Sequence, residues 1–359
     1  MKNKIESLQG LRGIGFLLIF LYHSEVLSSG GTIGVILFFV LSGFLLSVGN
    51  EKELDVSVKA CGKYAINKIK KLYWLHLVMS VFAIPLLIHR YFGNQGWLIS
   101  ILLRIVVNSL LLQSFIPVES IKYSLNNLSW FLSCMLFLYF IYPLINLKLK
   151  GIKSEKKLLL VLAGTWLIMI SVALILYFFC VYRFDNEELY RLITYNFPIF
   201  RAFDFTMGCI LGRIITIHPL KYSPQFSSLL ETLLILFFVF TSVINWNEKF
   251  NSVYWIGNNI FFRVLVLSVV VVFYYNKGII SKIIGKGILK SLGDISAYTY
   301  LIHEVVLRYL RYLLSYLLGD SLIGAGIYKI ILVFLGLLIT ILCSRIWIKV
   351  NRHISHAQC

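Results

Sequence analysis

Eleven apolar stretches recur along the chain, at about 13–27, 31–48, 72–92, 98–116, 128–147, 158–181, 197–216, 227–246, 256–275, 292–318 and 322–348. An α-helix needs about 20 apolar residues to cross the roughly 30 Å hydrocarbon core of a bilayer. No period-two alternation competes with these stretches. An open sheet would leave unpaired backbone groups in lipid. The chain therefore reads as an all-α polytopic membrane protein, with residues 1–359 forming a single transmembrane domain and no soluble domain. Composition agrees. Only 14% of residues are charged, against about 25% in a soluble domain, which excludes a soluble globule, a disordered chain and a secreted disulfide scaffold. Cys61, Cys134, Cys180, Cys209, Cys343 and Cys359 are scattered without metal-ligand or CxxC spacing. No metal site or disulfide framework follows from them.

The basic residues decide which stretches cross. Lys2 and Lys4 precede the first span, and a second span follows at once without an A-x-A-like cleavage site, so the N-terminal segment is expected to be retained. With the N-terminus inside, the basic cluster between 49 and 71 is cytoplasmic, as the positive-inside rule requires. The cluster at 148–157 joins it only if one of the next three stretches does not span. The stretch 98–116 is interrupted by Arg104 and Asn108, so it is expected to lie in the outer interface or to be re-entrant. The result is ten spans in the cell membrane with both termini cytoplasmic. With Arg213 and Arg345 assigned to the inner face and Arg90 to the outer, 22 of the 34 Lys and Arg lie inside and 6 outside. The formal net charge of +18 then reports orientation, and nucleic acid is not an expected partner.

Ionisable side chains within spans are costly and need a reason. Arg201 and Asp204, three apart, share a helix face and either neutralise each other or belong to a site. His303, Glu304, Arg308 and Arg311 follow one another on one span, with Glu304 and Arg308 four apart, and serve equally as an interhelical seam or a pocket. Arg263 and Asp294 are further intramembrane charges. Arg12 and His23 lie eleven residues apart, on one face and about 16 Å apart along the axis. A lone membrane histidine is commonly a hydrogen-bonding residue. An arginine below it on the same face could instead hold an anionic donor by its phosphates while the histidine, with an ordinary pKa of about 6.5, acts as general base.

The motifs that carry these residues resemble the membrane-bound acyltransferase 3 family. SLQGLRG at 7–13, YHS at 22–24 and GVILFFVLSGF at 34–44 are similar to its N-terminal pattern, including an arginine, ten residues and a histidine. KIKKLYW at 68–74 resembles its cytoplasmic RxxR motif. NLSWFLS at 127–133, continuing through Tyr139 and Pro143, resembles its tryptophan-containing span. PIFRAFDFTMG at 198–208 and LGDISAYTYLIH at 292–303 complete the series. The resemblance implies a ten-span enzyme that takes an acyl group, most often acetyl, from cytoplasmic acyl-CoA to a hydroxyl of a surface or exported carbohydrate. His23 would be the general base or acyl relay and Arg12 its partner. Lys68, Lys71 and Tyr73 would hold the donor, acetyl-CoA, which is a substrate and no permanent cofactor. Ser42, Trp130, Ser133, Arg201, Asp204 and His303 would serve substrate binding, with Ser42, Trp130 or Ser133 as oxyanion donors.

Three departures stand out. Lys68 and Lys71 replace arginines, keeping charge without bidentate geometry. Trp74 replaces a proline, and Met135 stands where many members have a glutamate. Expected partners are acyl-CoA, the carbohydrate acceptor, membrane lipids and proteins of polysaccharide biosynthesis. Two rival readings use the same spans: a transporter or flippase of a lipid-linked glycan, and a structural subunit of an export complex.

Overall fold

A computed structural model of the chain describes residues 5–27, 30–49, 53–221, 223–243, 260–318 and 326–357. Lys2, Lys4, Lys52, Lys249, Cys359 and parts of the stretches at 227–246, 256–275 and 322–348 fall outside the described residues. Every regular element among the described residues is helical: α1 (Glu6–His23), α2 (Gly31–Gly49), α3 (Val58–Tyr91), α4 (Trp97–Ser109), α5 (Glu119–Lys122), α6 (Trp130–Lys150), α7 (Glu155–Leu176), α8 (Glu187–Arg191), α9 (Pro198–Ile217), α10 (Pro224–Val243), α11 (Phe262–Tyr274), α12 (Ile279–Ile284), α13 (Gly287–Leu318) and α14 (Gly326–Ala357).

Among the described residues five helices, at Gly31–Val48, Val58–Tyr91, Trp130–Lys150, Glu155–Arg183 and Gly326–Asn351, are long and apolar enough to cross a membrane. Helices α1, α9 and α13 are too polar to join them because they carry ionisable side chains that pair inside the bundle, His23 of α1 with Glu304 of α13 and Asp204 of α9 with Arg263 of α11. Helix α2 is apolar all round, as a helix enclosed by others should be, and packs against α1, α9 and α11. Helix α1 packs in turn on α13, and α6 on α3 and α9. Phe16, Phe20, Phe39, Leu138 and Leu307 fill the space between them.

Close approach of α1 and α13 depends on glycine. A Cβ on Gly13 would overlap the Leu289 carbonyl, and one on Gly293 the Gln9 carbonyl. Neither obstacle is a side chain that can rotate away. Small residues at such crossings let two backbones approach where no hydrophobic force between helices is available.

Helix α3 begins at Val58, well before the apolar stretch at 72. Ser57 caps it by accepting from Ala60 N, and Cys61, Ala65 and Ile69 form a buried stripe at four-residue spacing. The lysines between 59 and 71 therefore sit on the polar face of a helix and not in a loop. Helix α4 has 13 residues, about 20 Å, which is too short to span. It folds back along α3, from Trp97 against Phe92 (ring centroids 5.2 Å) to Asn108 and Ser109, whose carbonyls bond His76 Nε2 and Tyr73 Oη at 3.0 Å each. The chain then returns past it: Arg104 Nε donates to Ser120 O (3.1 Å), and Asn108 Nδ2 to Ser124 Oγ (2.8 Å). Arg104 and Asn108, which interrupt the apolar run in the sequence, are the buried polar face that satisfies this hairpin.

The bundle has two chemically distinct ends. At one, Tyr142 Oη donates to Leu46 O (2.8 Å), Tyr64 stacks on Tyr142, and Arg213 Nη2 donates to Lys150 O (3.2 Å). This level gathers the lysine-rich start of α3 and end of α6. At the other, Lys122 Nζ donates to Leu192 O (3.0 Å) and Lys329 Nζ to Glu25 O (3.0 Å).

Candidate active site

Two cavities open on opposite sides of Tyr300 in α13. The larger, about 560 Å³, is lined among others by His23, Trp130, Tyr195, Arg201, Arg263 and Tyr300. The smaller, about 80 Å³, includes Arg12, Ser42, Ile69, Leu72, Tyr139 and Tyr300. Arg12 and His23 are thus separated as their spacing predicts, with the arginine in the smaller cavity, the inner one in that it lies nearer the lysine-rich end of the bundle, and the histidine on the larger, or outer, one. Tyr300 lies against Phe131 and Phe38, with ring centroids at 5.2 and 6.1 Å, so an aromatic cluster forms the partition.

His23 ends α1 and is oriented from three sides. Its Nδ1 lies 3.5 Å from Glu304 Oε2, a carboxylate whose side chain is 6% exposed. Asn127 Nδ2 donates to Glu304 Oε1 at 3.2 Å and fixes the other oxygen. The His303 ring packs on the His23 ring at 5.5 Å, and Arg311 donates to the His23 carbonyl while pairing with Glu25 at 3.3 Å. With Nδ1 turned to the carboxylate, Nε2 is the nitrogen available for proton transfer, an arrangement that holds an imidazole in one tautomer. Asn127 belongs to a motif in which only Trp130 and Ser133 stand out as candidates. Glu304 reads in sequence as a partner for Arg308, but Arg308 Nη1 instead donates to Leu125 O (2.8 Å).

Deeper in the outer cavity, Arg201 Nη1 and Asp204 Oδ2 are 2.8 Å apart, and Arg263 Nε donates to Asp204 Oδ1 at 2.7 Å. The i,i+3 pair on α9 is therefore real, and α11 adds a second guanidinium that spacing cannot join to it. Arg201 Nη2 also donates to Thr194 O (2.5 Å), tying the helix to the cavity wall.

The remaining candidates are placed unevenly. Trp130 lines the outer cavity beside Tyr195, 5.2 Å between ring centroids. Ser42 lines the inner one, with its hydroxyl donated to Phe38 O (2.7 Å). Ser133 is buried and donates to Leu111 O. Asp204 is buried behind its two arginines, and His303 stands behind His23, its Nδ1 3.1 Å from Thr299 O. Lys68 and Lys71 are exposed on α3, with Lys68 Nζ 5.2 Å from the centre of the Tyr64 ring. Their neighbours Ile69 and Leu72, not the lysines, line the inner cavity. Tyr73 bonds α4 and stands apart from both cavities. Among the described residues no group of three or more His, Cys, Asp or Glu could hold a metal.

An imidazole backed by a buried carboxylate, in a pocket that a second cavity meets from the opposite side, is suited to moving a proton during group transfer. No curated protein and no solved structure shows significant similarity to the chain. A family model described as an acyltransferase domain matches residues 5–346, which take in the His23 site, its Glu304 partner and both cavities, and the chain accordingly belongs to the acyltransferase 3 family.

Proposed function

We propose that the protein moves an acyl group, acetyl in the first instance, from cytoplasmic acyl-CoA to a hydroxyl of a cell-surface or exported carbohydrate. The observation that carries this reading is the His23–Glu304–Asn127 chain on the wall of an aromatic-lined cavity, with Arg12 in a second cavity across Tyr300. We read the lysine-rich end of the bundle as cytoplasmic, with ten spans, both termini inside and the cell membrane as location. Acyl-CoA then approaches from the Arg12 side, and Lys68 and Lys71 attract its phosphates from the exposed face of α3. The acceptor enters the larger cavity, where Trp130 and Tyr195 offer ring faces to a sugar.

In the transfer, His23 Nε2 takes the proton of the acceptor hydroxyl as its oxygen bonds to the thioester carbonyl carbon. The carbon–sulfur bond of the resulting tetrahedral species breaks, and the CoA thiolate recovers the proton from His23. Glu304 balances the imidazolium that exists between these events, and Trp130 Nε1 is the candidate oxyanion donor on the cavity wall. Purified protein incubated with labelled acetyl-CoA and a mixed glycan pool should release CoA and label the glycan. A glycan moved between compartments with no CoA released would instead support the flippase reading.

Two variants test individual parts. Glu304→Gln keeps the shape and the Asn127 contact but removes the charge that steadies the imidazolium, so kcat should fall by about 10–100-fold with little change in the acceptor KM. An unchanged kcat would remove Glu304 from the mechanism. Lys68→Ala with Lys71→Ala should raise the apparent KM for acetyl-CoA by about tenfold at low salt and by less at high salt, because both side chains are exposed. A KM equal to that of the unsubstituted protein at every salt concentration would exclude them from donor capture.

A further inference from the structure

A donor hydroxyl without an acceptor sits where the two cavities meet. Among the described residues, Tyr300 alone lines both of them. It is 4% exposed, and its Oη is buried without a hydrogen-bond partner. A buried hydroxyl left unpaired is costly and calls for an explanation. Other hydroxyls of the region are committed. Tyr123 Oη donates to Asn196 Oδ1 (2.8 Å), Ser42 Oγ to Phe38 O (2.7 Å) and Ser133 Oγ to Leu111 O. The two serines expected to polarise a carbonyl thus spend their hydrogens on the backbone, while Tyr300 keeps its own. Packing fixes the phenol in place. Its ring lies against Phe131 (5.2 Å between centroids), Phe38 (6.1 Å) and His303 (6.0 Å), and His303 packs in turn on His23. The ionisable groups around the phenol are Tyr195, Cys134, Tyr123 and Glu304. The first and third of these line the larger cavity, and Glu304 faces His23. Tyr300 and Glu304 are four apart on α13, one turn or about 6 Å along the axis.

We infer that Tyr300 is a catalytic residue whose hydroxyl donates to the acyl carbonyl oxygen of the thioester and holds the negative charge that develops there. The inference rests on the acyl-transfer reading and adds the residue at which donor and acceptor meet. The thioester arrives through the Arg12 cavity and the acceptor hydroxyl through the His23 cavity. The carbon at which they react therefore lies beside the residue common to both. As the acceptor oxygen bonds to that carbon, His23 Nε2 takes its proton and the carbonyl π pair moves onto oxygen, against Tyr300 Oη–H. When the pair returns, the carbon–sulfur bond breaks and the thiolate takes the proton from His23. Tyr300 donates throughout and stays protonated, as a neutral phenol can. A donor fixed in advance in a buried site favours the charged intermediate over the neutral thioester. Trp130, whose ring also packs on Phe131 (6.3 Å), offers a second N–H from the cavity wall.

Tyr300→Phe is the test, because it keeps the ring and removes only the oxygen. In the purified full chain, kcat for acetyl-CoA-dependent transfer should fall by about 10²–10³-fold, with KM for donor and acceptor within about twofold. The thermal midpoint should equal or exceed that of the unsubstituted protein, since no hydrogen bond of the resting protein is lost. A structural hydroxyl would give the opposite result, a lowered midpoint. A direct readout uses S-acetonyl-CoA, a ketone that lacks the scissile carbon–sulfur bond. Its 13C-labelled carbonyl stretch should move to lower wavenumber on binding and move back up in Tyr300→Phe. A fall in kcat of less than about tenfold overturns the inference. So does a lowered midpoint or failure of the variant to fold, because either shows the hydroxyl to be structural. A carbonyl band that does not move on binding the unsubstituted protein overturns it without any variant. Absence of CoA release from the unsubstituted protein ends the acyl-transfer reading and the inference with it, whereas full activity in Tyr300→Phe ends the inference alone.

Discussion

His23→Ala should leave a folded, membrane-inserted protein whose acyl transfer is lowered by about 10²–10⁴-fold, the range expected when a positioned general base is removed. The fall should appear in kcat, because the imidazole acts on the reacting hydroxyl and does not carry the weight of binding. Folding should survive. His23 is the last residue of α1, its side chain is 27% exposed, and the contact that pins the end of the helix is made by its carbonyl with Arg311, which alanine retains. Glycan labelling in cells and CoA release by purified protein are the two measurements. His23→Gln refines the result, since an amide can face Glu304 as a hydrogen-bond donor but cannot take up a proton. Activity retained by either variant at the level of the unsubstituted protein would end the proposal that His23 is the base.

The membrane class is legible because the bilayer imposes a length and a polarity on each crossing, and the apolar stretches at 31–48 and 128–147 announce themselves as α2 and α6. The foldback of α4 is legible for the complementary reason: Arg104 and Asn108 cannot face lipid, so a segment that carries both must find polar partners. Helical periodicity equally places Arg12 and His23 on one face. Periodicity stops at the edge of the helix, however. Glu304 has a near-ideal local partner four residues away in Arg308, and only the packing of α13 on α1 shows that it turns to His23 instead. Arg263 joins Asp204 for the same reason, since nothing local links α11 to α9. The lysines at 68 and 71 show the converse. Their motif is plain in the sequence, but at that register of α3 the buried stripe takes Ile69, and the charged side chains face outward. Among the described residues five helices are long and apolar enough to cross, and α1, α9 and α13 are not among them because their ionisable groups pair inside the bundle, α1 with α13 and α9 with α11, so the helices that form the site look least like spans.

That same packing predicts which single change should damage the protein most without touching a polar group. Gly293→Leu places a side chain where even a Cβ would overlap the Gln9 carbonyl. Leucine favours helix over glycine by a few tenths to about 1 kcal/mol, so local propensity opposes the expected loss. What remains is steric, and because the obstacle is backbone the two helices must separate. Overpacking of this kind costs about 1–3 kcal/mol and more where nothing can yield. Separation also parts the partners of the site, since His23 rides on α1 and Glu304 on α13. The variant should therefore lose activity and unfold in detergent at least about 5 °C below the unsubstituted protein, read by thermal-shift size-exclusion chromatography. Gly164→Leu is the matched control, because a Cβ there meets nothing within 4 Å, and its stability should be unchanged or slightly raised. Equal stability and activity of the two variants would mean that α1 and α13 are not held at the distance on which the His23–Glu304 contact depends.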